Sequence, residues 1–383
     1  MAAQSPIIDR HQDADATLIP YGTPAKSAHV VDTFGEPQAE YAAIRKGAAL
    51  IDLPHRGLIR VVGDDRLEFL ERMLTQKLTG RSAGDSTNSF WVSRKGRIIA
   101  DLRVILRDED VLLELDTLNV EQTIETLDAF VIMDDVTLED VSESHHRLAL
   151  QGPRSLDLLR GALHTHLDDL PLNTNRTIEA LDTPITLDRR DTTGETGIEI
   201  IIPTDHAQAL YDALADHAEN TPDLKARPAG WAACNTARIE SGTPIFNIDF
   251  GEKSLPAETG VLQDRVDFAK GCYPGQEVVA RMESLGGPKQ KLVSLEFPQS
   301  DHSTTQPQTG DAVTTTDDQE KPVGAITSST RGPMLSGAIV CLAQVRTAHA
   351  EPGTELTVHA EDDALRARVR ESLAAYAPAS ANA

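Results

Sequence analysis

Cysteine is scarce in this 383-residue chain: Cys234, Cys272 and Cys341 are odd in number, widely spaced, and form no CxxC pair. That excludes a disulfide framework and a self-sufficient zinc or iron–sulfur site. Long apolar runs are missing as well, so no membrane partner is expected. The opening Met1-Ala2-Ala3-Gln4-Ser5-Pro6 lacks the basic and apolar regions of a signal peptide, which points to a cytoplasmic protein. Aromatic residues make up only 4%, and 36 Lys and Arg face 60 Asp and Glu, a formal charge of −24. Such an acid surplus repels phosphate backbones, so no nucleic acid is expected. The cations are mostly arginine, and the profile reads as halophilic, a carboxylate surface that stays hydrated in high salt. An ordinary acidic surface is the plain alternative. There is no HExxH, P-loop or G-x-S-x-G, and Gly286-Gly287 lacks the strand–turn–helix setting of a dinucleotide loop.

What remains is a globular composition, 40% hydrophobic, with length for two or three domains. Residues 1–18 are polar and aperiodic, a loose tail. Leu58 to Val62 reads as a strand, and Leu67, Leu70 and Leu74 repeat at helical spacing after Asp64-Asp65. Ile98 to Leu106 and Val111 to Leu115 read as a hairpin, and Glu121 to Phe130 as a helix. A similar order of elements follows: strands at Arg147–Leu150 and Gly197–Ile202, helices from Pro153, from Asp205 and from Trp231, the last stopped by Gly242. After Gly286-Gly287-Pro288 come strands at Lys291–Phe297, Val323–Ser328, Ala338–Val345 and Glu355–His359, a small antiparallel barrel interrupted by an exposed polar loop, Gln299–Lys321. The expected parts are a flexible tail at 1–18, a region 19–285 in two subdomains (19–145 and 146–285), a barrel at 286–370 and a frayed tail at 371–383.

The densest chemistry lies in Lys270-Gly271-Cys272-Tyr273-Pro274-Gly275-Gln276-Glu277. Two glycines and a proline describe a tight, exposed loop. A cysteine becomes reactive when nearby cations stabilise its thiolate and it stays accessible. Lys270 is one such cation and Arg281 a second if the chain turns back. Five basic residues stand against three acidic ones from Arg265 to Lys291, a basic island suited to an anion. The plain reading of Cys272 is a small buried hydrophobe. Asp101 lies in the strand Ile98–Leu106, and period two puts it with Arg103 opposite Ala100, Leu102, Val104 and Leu106. On pattern alone that is a half-exposed strand bearing a charged pair. Glu195 and Glu199 sit in a turn entering a strand and can offer carboxylates to an amide edge. Arg238, on the helix from Trp231, suits a carboxylate ligand or a nearby acid. His145-His146, His164 and His166 have no companion ligand set, so no metal is assigned.

These segments resemble the superfamily of the glycine-cleavage T-protein, a tetrahydrofolate-using aminomethyltransferase. The resemblance runs from about Tyr21 to about Val369, through Gly47-Ala48-Ala49-Leu50-Ile51-Asp52-Leu53-Pro54-His55-Arg56-Gly57, Leu148-Ala149-Leu150-Gln151-Gly152-Pro153, Thr193 to Glu199, Ala237-Arg238-Ile239-Glu240-Ser241-Gly242 and Val323-Gly324-Ala325-Ile326-Thr327-Ser328. Within it, the Cys272 motif with Ala280-Arg281 resembles the YgfZ branch, linked to iron–sulfur assembly. T-proteins proper generally lack that motif, and they usually carry paired aspartates where this chain has Ala100-Asp101.

The resemblance implies an α+β fold, a T-protein-like ring of two α/β (ferredoxin-like) subdomains and a C-terminal antiparallel β-barrel around a folate pocket. It implies tetrahydrofolate as cofactor, with Asp101, Glu195 and Arg238 facing the pterin and Glu199 a substitute for Glu195. Lys270 and Arg281 would meet a glutamate tail or a cluster, and Cys272 and Asp101 would carry the chemistry. Three functions follow in order: a folate-binding accessory protein serving iron–sulfur client or assembly proteins; an aminomethyltransferase or related one-carbon transferase, with a lipoyl carrier protein as partner; and a folate-binding module with a structural cysteine.

Overall fold

The computed structural model describes residues 4–23, 26–284, 287–298 and 305–377. Its α+β fold ends in a closed six-stranded antiparallel barrel, as expected. The chain divides into two compact units, Met1–Trp91 with Ala100–Cys234, and Val92–Ile99 with Asn235–Ala383. The expected edges at 145/146 and 285/286 cut across this division. Ala48–Asp52 pairs with His145–Gln151 in one sheet, and Ile239 packs on Leu292, Val340 and Leu342 of the barrel.

The first unit holds two sheets. One runs in the order Asn175–Ala180, Thr183–Arg189, Gly197–Pro203, His145–Gln151, Ala48–Asp52, Ala226–Pro228; the other runs Ser86–Val92, Ile98–Leu106, Val111–Asp116, Arg56–Val62, Thr137–Asp140. The six-stranded sheet turns Leu148, Leu150, Ile198, Ile200 and Ile202 onto Leu158, Leu159, Leu210 and Leu214 of the helices Ser155–Ala162 and Ala207–Asn220. On the five-stranded sheet the helix Val120–Asp128 covers Arg56–Val62 and Thr137–Asp140, and Trp91 Nε1 donates to Thr126 Oγ1 at 2.9 Å. With one face of each sheet closed by helices, the remaining faces are left for each other.

Several expectations are corrected. The loose N-terminal tail contains a helix, Ile8–Asp13. Ile7 joins the core with Leu50 and Leu148, and six residues are too few to show a period. Within the expected loop 299–321, Ala312–Thr315 is a barrel strand flanked by Pro322–Gly332 and Glu355–Ala360; residues 299–304 lie outside the described residues, as does Gly286. The expected fray from 371 is tied down, because Ala375 and Tyr376 N–H groups donate to Glu240 O at 2.8 Å; residues 378–383 lie outside the description. The helix Trp231–Glu240 ends as its sequence suggests, with Gly242 at φ +69°. No helix among the described residues is long and apolar enough to cross a membrane.

Candidate functional site

Side chains of a strand alternate between faces. In the five-stranded sheet Arg56 stands opposite Asp116 and Leu58 opposite Glu114, while Glu114 stands opposite Arg103 on the next strand. These residues share a face, with Asp101 two residues before Arg103. In the six-stranded sheet Asp188 stands opposite Glu199 and Ile201 opposite Arg147. Leu58, Ile105 and Leu112 pack on Ile201, so two faces rich in charge meet inside the first unit.

The charges there are paired. Arg103 donates through Nε and Nη2 to the two oxygens of Asp188, at 2.8 and 2.9 Å, and both side chains are fully buried. Its Nη1 reaches Asn173 Oδ1 at 2.8 Å. Glu114 accepts from Arg56 and, at 2.9 Å, from Arg190. Glu199 accepts from Arg147 and stands 3.5 Å from Arg190. Burial alone would raise the Glu114 carboxyl, but Arg56, Arg147 and Arg190 outweigh it and hold it well below the usual carboxylate range. The expected half-exposed pair of Asp101 with Arg103 is therefore corrected: a second sheet covers that face, and Arg103 is bound to Asp188.

Asp101 keeps intermediate exposure, whereas Glu114 and Asp116 on the same face are buried. Glu195 is also buried, in the turn made by Gly194 at φ +84°. Arg45 Nη1 holds that turn, donating to Thr193 O at 2.7 Å and to Glu195 Oε1 at 3.4 Å. Glu199 belongs to the inter-sheet layer rather than to the turn. Close to Asp116 sits an aromatic group that sequence reasoning missed. Tyr21 donates its hydroxyl to Asp116, its ring lies 4.8 Å from His55, and Trp231 lies 6.0 Å from His55. The available signal was the unbroken burial implied by Val111-Leu112-Leu113-Glu114-Leu115-Asp116, where two acids interrupt an apolar strand.

The N-terminal helix is anchored through Asp52, whose oxygens meet His11 Nε2 at 2.8 Å and His146 Nε2 at 2.6 Å. Burial pushes Asp52 up, but the His146 charge and the hydrogen bonds from His11 and His146 outweigh it and set it well below its ordinary value. A carboxyl lowered by folding stabilises the fold fully above its unfolded pKa, about 4, and loses that contribution as pH falls toward the lowered value. The stability advantage of the wild type over Asp52→Asn is thus expected to be full above about pH 4 and to shrink below it, in denaturant titrations from pH 7 to pH 2.5.

The other singled-out residues belong to the second unit. Arg238 is buried and donates to Asp249 and, at 2.6 Å, to Ser328 Oγ. Of the two partners open to it, a carboxylate ligand or a nearby acid, the guanidinium is here bonded to an acid of its own unit, Asp249. Cys272 is exposed. Gly275, at φ +80°, closes the loop so tightly that an added Cβ would lie 2.4 Å from Ser93 O. Lys270 is buried with Nζ 5.5 Å from the Tyr273 ring centroid, and Arg281 is exposed on the helix Gln276–Ser284. Asp101, Glu195 and Glu199 thus share one unit, and Arg238, Lys270, Cys272 and Arg281 the other. Among the described residues no group of three or more His, Cys, Asp or Glu side chains is arranged to hold a metal.

The sequence matches the GCVT N-terminal domain over residues 7–270 and the glycine cleavage T-protein C-terminal barrel domain over residues 290–374. It is 26% identical over 376 residues to an aminomethyltransferase of Bacillus pumilus, covering 96% of this chain and 97% of that protein. It is 28% identical over 371 residues to an aminomethyltransferase of Halalkalibacterium halodurans, covering 96% of each. The fold is similar to the crystal structure of glycine cleavage system aminomethyltransferase T from Bartonella henselae, with a TM-score of 0.85, 22% identity, and coverage of 97% of this chain and 98% of that one.

Proposed function

The chain belongs to the glycine cleavage T-protein family, and from that premise we propose that it is a tetrahydrofolate-dependent one-carbon transferase of the aminomethyltransferase type. The observation that carries this reading is Asp101: it keeps intermediate exposure on the charged sheet face, while Glu114 and Asp116 on that face are buried. A reactive carboxylate backed by a fixed lattice of charge is what proton handling requires. The donor set of the first unit also fits a folate. The buried Glu195 carboxylate suits an amino-pyrimidine edge, half-exposed Tyr21 and Trp231 offer ring faces, and His55 Nδ1 has no hydrogen-bond partner among the described residues.

Tetrahydrofolate supplies the amines that take up the one-carbon unit. Asp101 orients those amines and accepts a proton, Glu195 fixes the ligand's edge, and Arg190 sets the local charge through its bonds to Glu114 and Glu199. The co-substrate is an aminomethyl group on a lipoyl carrier protein. The test is tetrahydrofolate-dependent release of ammonia from aminomethyl-lipoyl carrier, and absence of turnover with a competent carrier overturns the reading.

A second reading, a YgfZ-type folate-binding accessory role in iron–sulfur assembly, is favoured by one observation: Cys272 is exposed in a tight loop. A single thiolate holds no cluster alone, so a cluster there is shared with another protein. The two readings part at Cys272→Ala. Under the transferase reading, ammonia release by this variant stays within about twofold of wild type, as expected of a surface substitution away from the reacting groups. Under the accessory reading, the variant fails to restore iron–sulfur enzyme activity in a deletion strain.

A further inference from the structure

His55 precedes the strand Arg56–Val62 and is 8% exposed. Its ring is wedged against Tyr21, at 4.8 Å, and Trp231, at 6.0 Å. Its Nδ1 is fully buried and has no hydrogen-bond partner among the described residues. A neutral imidazole carries one proton, on either nitrogen. On Nδ1 that proton would be a buried donor with nothing to accept it. The proton therefore resides on Nε2. Burial, and then the Arg56 charge, press the ring's pKa down to about 4, so His55 is a neutral donor at physiological pH.

A buried polar atom left unpaired destabilises a fold and calls for a reason. Phenylalanine would fill the same space between two aromatic rings without the orphan. Local choices that work against stability persist where function needs them. Arg56 is bonded to Glu114 and the Tyr21 hydroxyl to Asp116, which leaves the imidazole and the Trp231 indole N–H as the donors of this group without a bond among the described residues.

We propose that His55 is a ligand-binding residue: its Nε2–H donates to a neutral acceptor, a carbonyl or ring nitrogen, on a planar heteroaromatic ligand lying against Tyr21 and Trp231. Both rings are half-exposed, so each has a face to offer. A neutral donor selects a neutral acceptor, whereas an anionic group would call for a charged one. The inference rests on the folate reading above and names the residue that recognises the ring.

The test uses the full chain and 5-formyltetrahydrofolate, titrated by calorimetry and by tryptophan fluorescence. Trp231 is half-exposed and Trp91 buried, so quenching reports on this site. Loss of one hydrogen bond predicts that His55→Phe binds about tenfold more weakly. Its thermal midpoint should equal or exceed that of wild type. His55→Gln, whose amide N–H reaches about as far as Nε2, should bind within about threefold of wild type. Binding by His55→Phe within twofold of wild type, equal weakness of His55→Gln, or failure of His55→Phe to fold would each overturn the proposal. No binding by the wild type overturns the folate reading with it, and that titration alone distinguishes the two failures.

Discussion

Arg103→Ala is expected to lower the unfolding free energy of the first unit by about 3–5 kcal/mol, the range for breaking a buried ion pair from one side. The size follows from what is left behind. Asp188 would remain fully buried, without the two guanidinium hydrogen bonds that hold it. Asn173 Oδ1 and Arg189 O lose a donor at the same time. An exposed pair behaves differently: Arg72 with Glu68 is open to solvent, and its loss should cost about 0.5 kcal/mol or less. Removing both partners, as in Arg103→Met with Asp188→Leu, takes away the stranded charge and should recover most of the loss. Urea midpoints of the two single variants and the double variant check this. A loss below about 1 kcal/mol for Arg103→Ala would contradict full burial of the pair.

Asp101→Asn should leave stability within about 0.5 kcal/mol of wild type, because the side chain is partly solvated. It should lower kcat for ammonia release by about 10²–10⁴, the usual contribution of a positioned acid or base. The asparagine keeps the size and a hydrogen-bonding edge but cannot take up a proton, so KM for folate should move little. A change in KM with kcat preserved would make Asp101 a binding group only. Unaltered kinetics would remove it from the site.

Much of the fold was legible because its strands obey simple periodicity. Ile98–Leu106 spans the residues its alternation suggests, and the barrel strands from Ala338 and Glu355 begin where their apolar runs begin. The antiparallel pairing of Thr17–Thr23 with Lys26–Thr33 was not legible, since Pro20, Gly22 and a run of small and polar residues break any alternation. Nor was the strand Ala312–Thr315, which carries one apolar anchor, Val313. Periodicity placed Asp101 and Arg103 on one face correctly, but a single strand cannot reveal what covers that face. The same limit applied to Glu199 and Arg238, whose partners Arg147 and Asp249 lie 52 and 11 residues away along the chain. The exposed loop at Cys272 was readable because Gly271, Pro274 and Gly275 specify it locally.

The charged layer between the sheets also bears on how the chain finds its partners while it folds. Hydrophobic faces are permissive, since a leucine accepts nearly any apolar neighbour. Slipping the strand Val111–Asp116 by one residue would carry Glu114 and Asp116 toward the helix-covered side and bring Leu113 and Leu115 against Arg147 and Arg190. Arg56 would lose its hydrogen bond to Glu114, and Arg147 and Arg190 would keep only Glu199, so such a misthreaded intermediate would be heavily penalised rather than merely ill-fitting. In that sense the layer acts as a proofreader of strand alignment, and it does so in the half of the molecule that carries Asp101, Glu195 and His55.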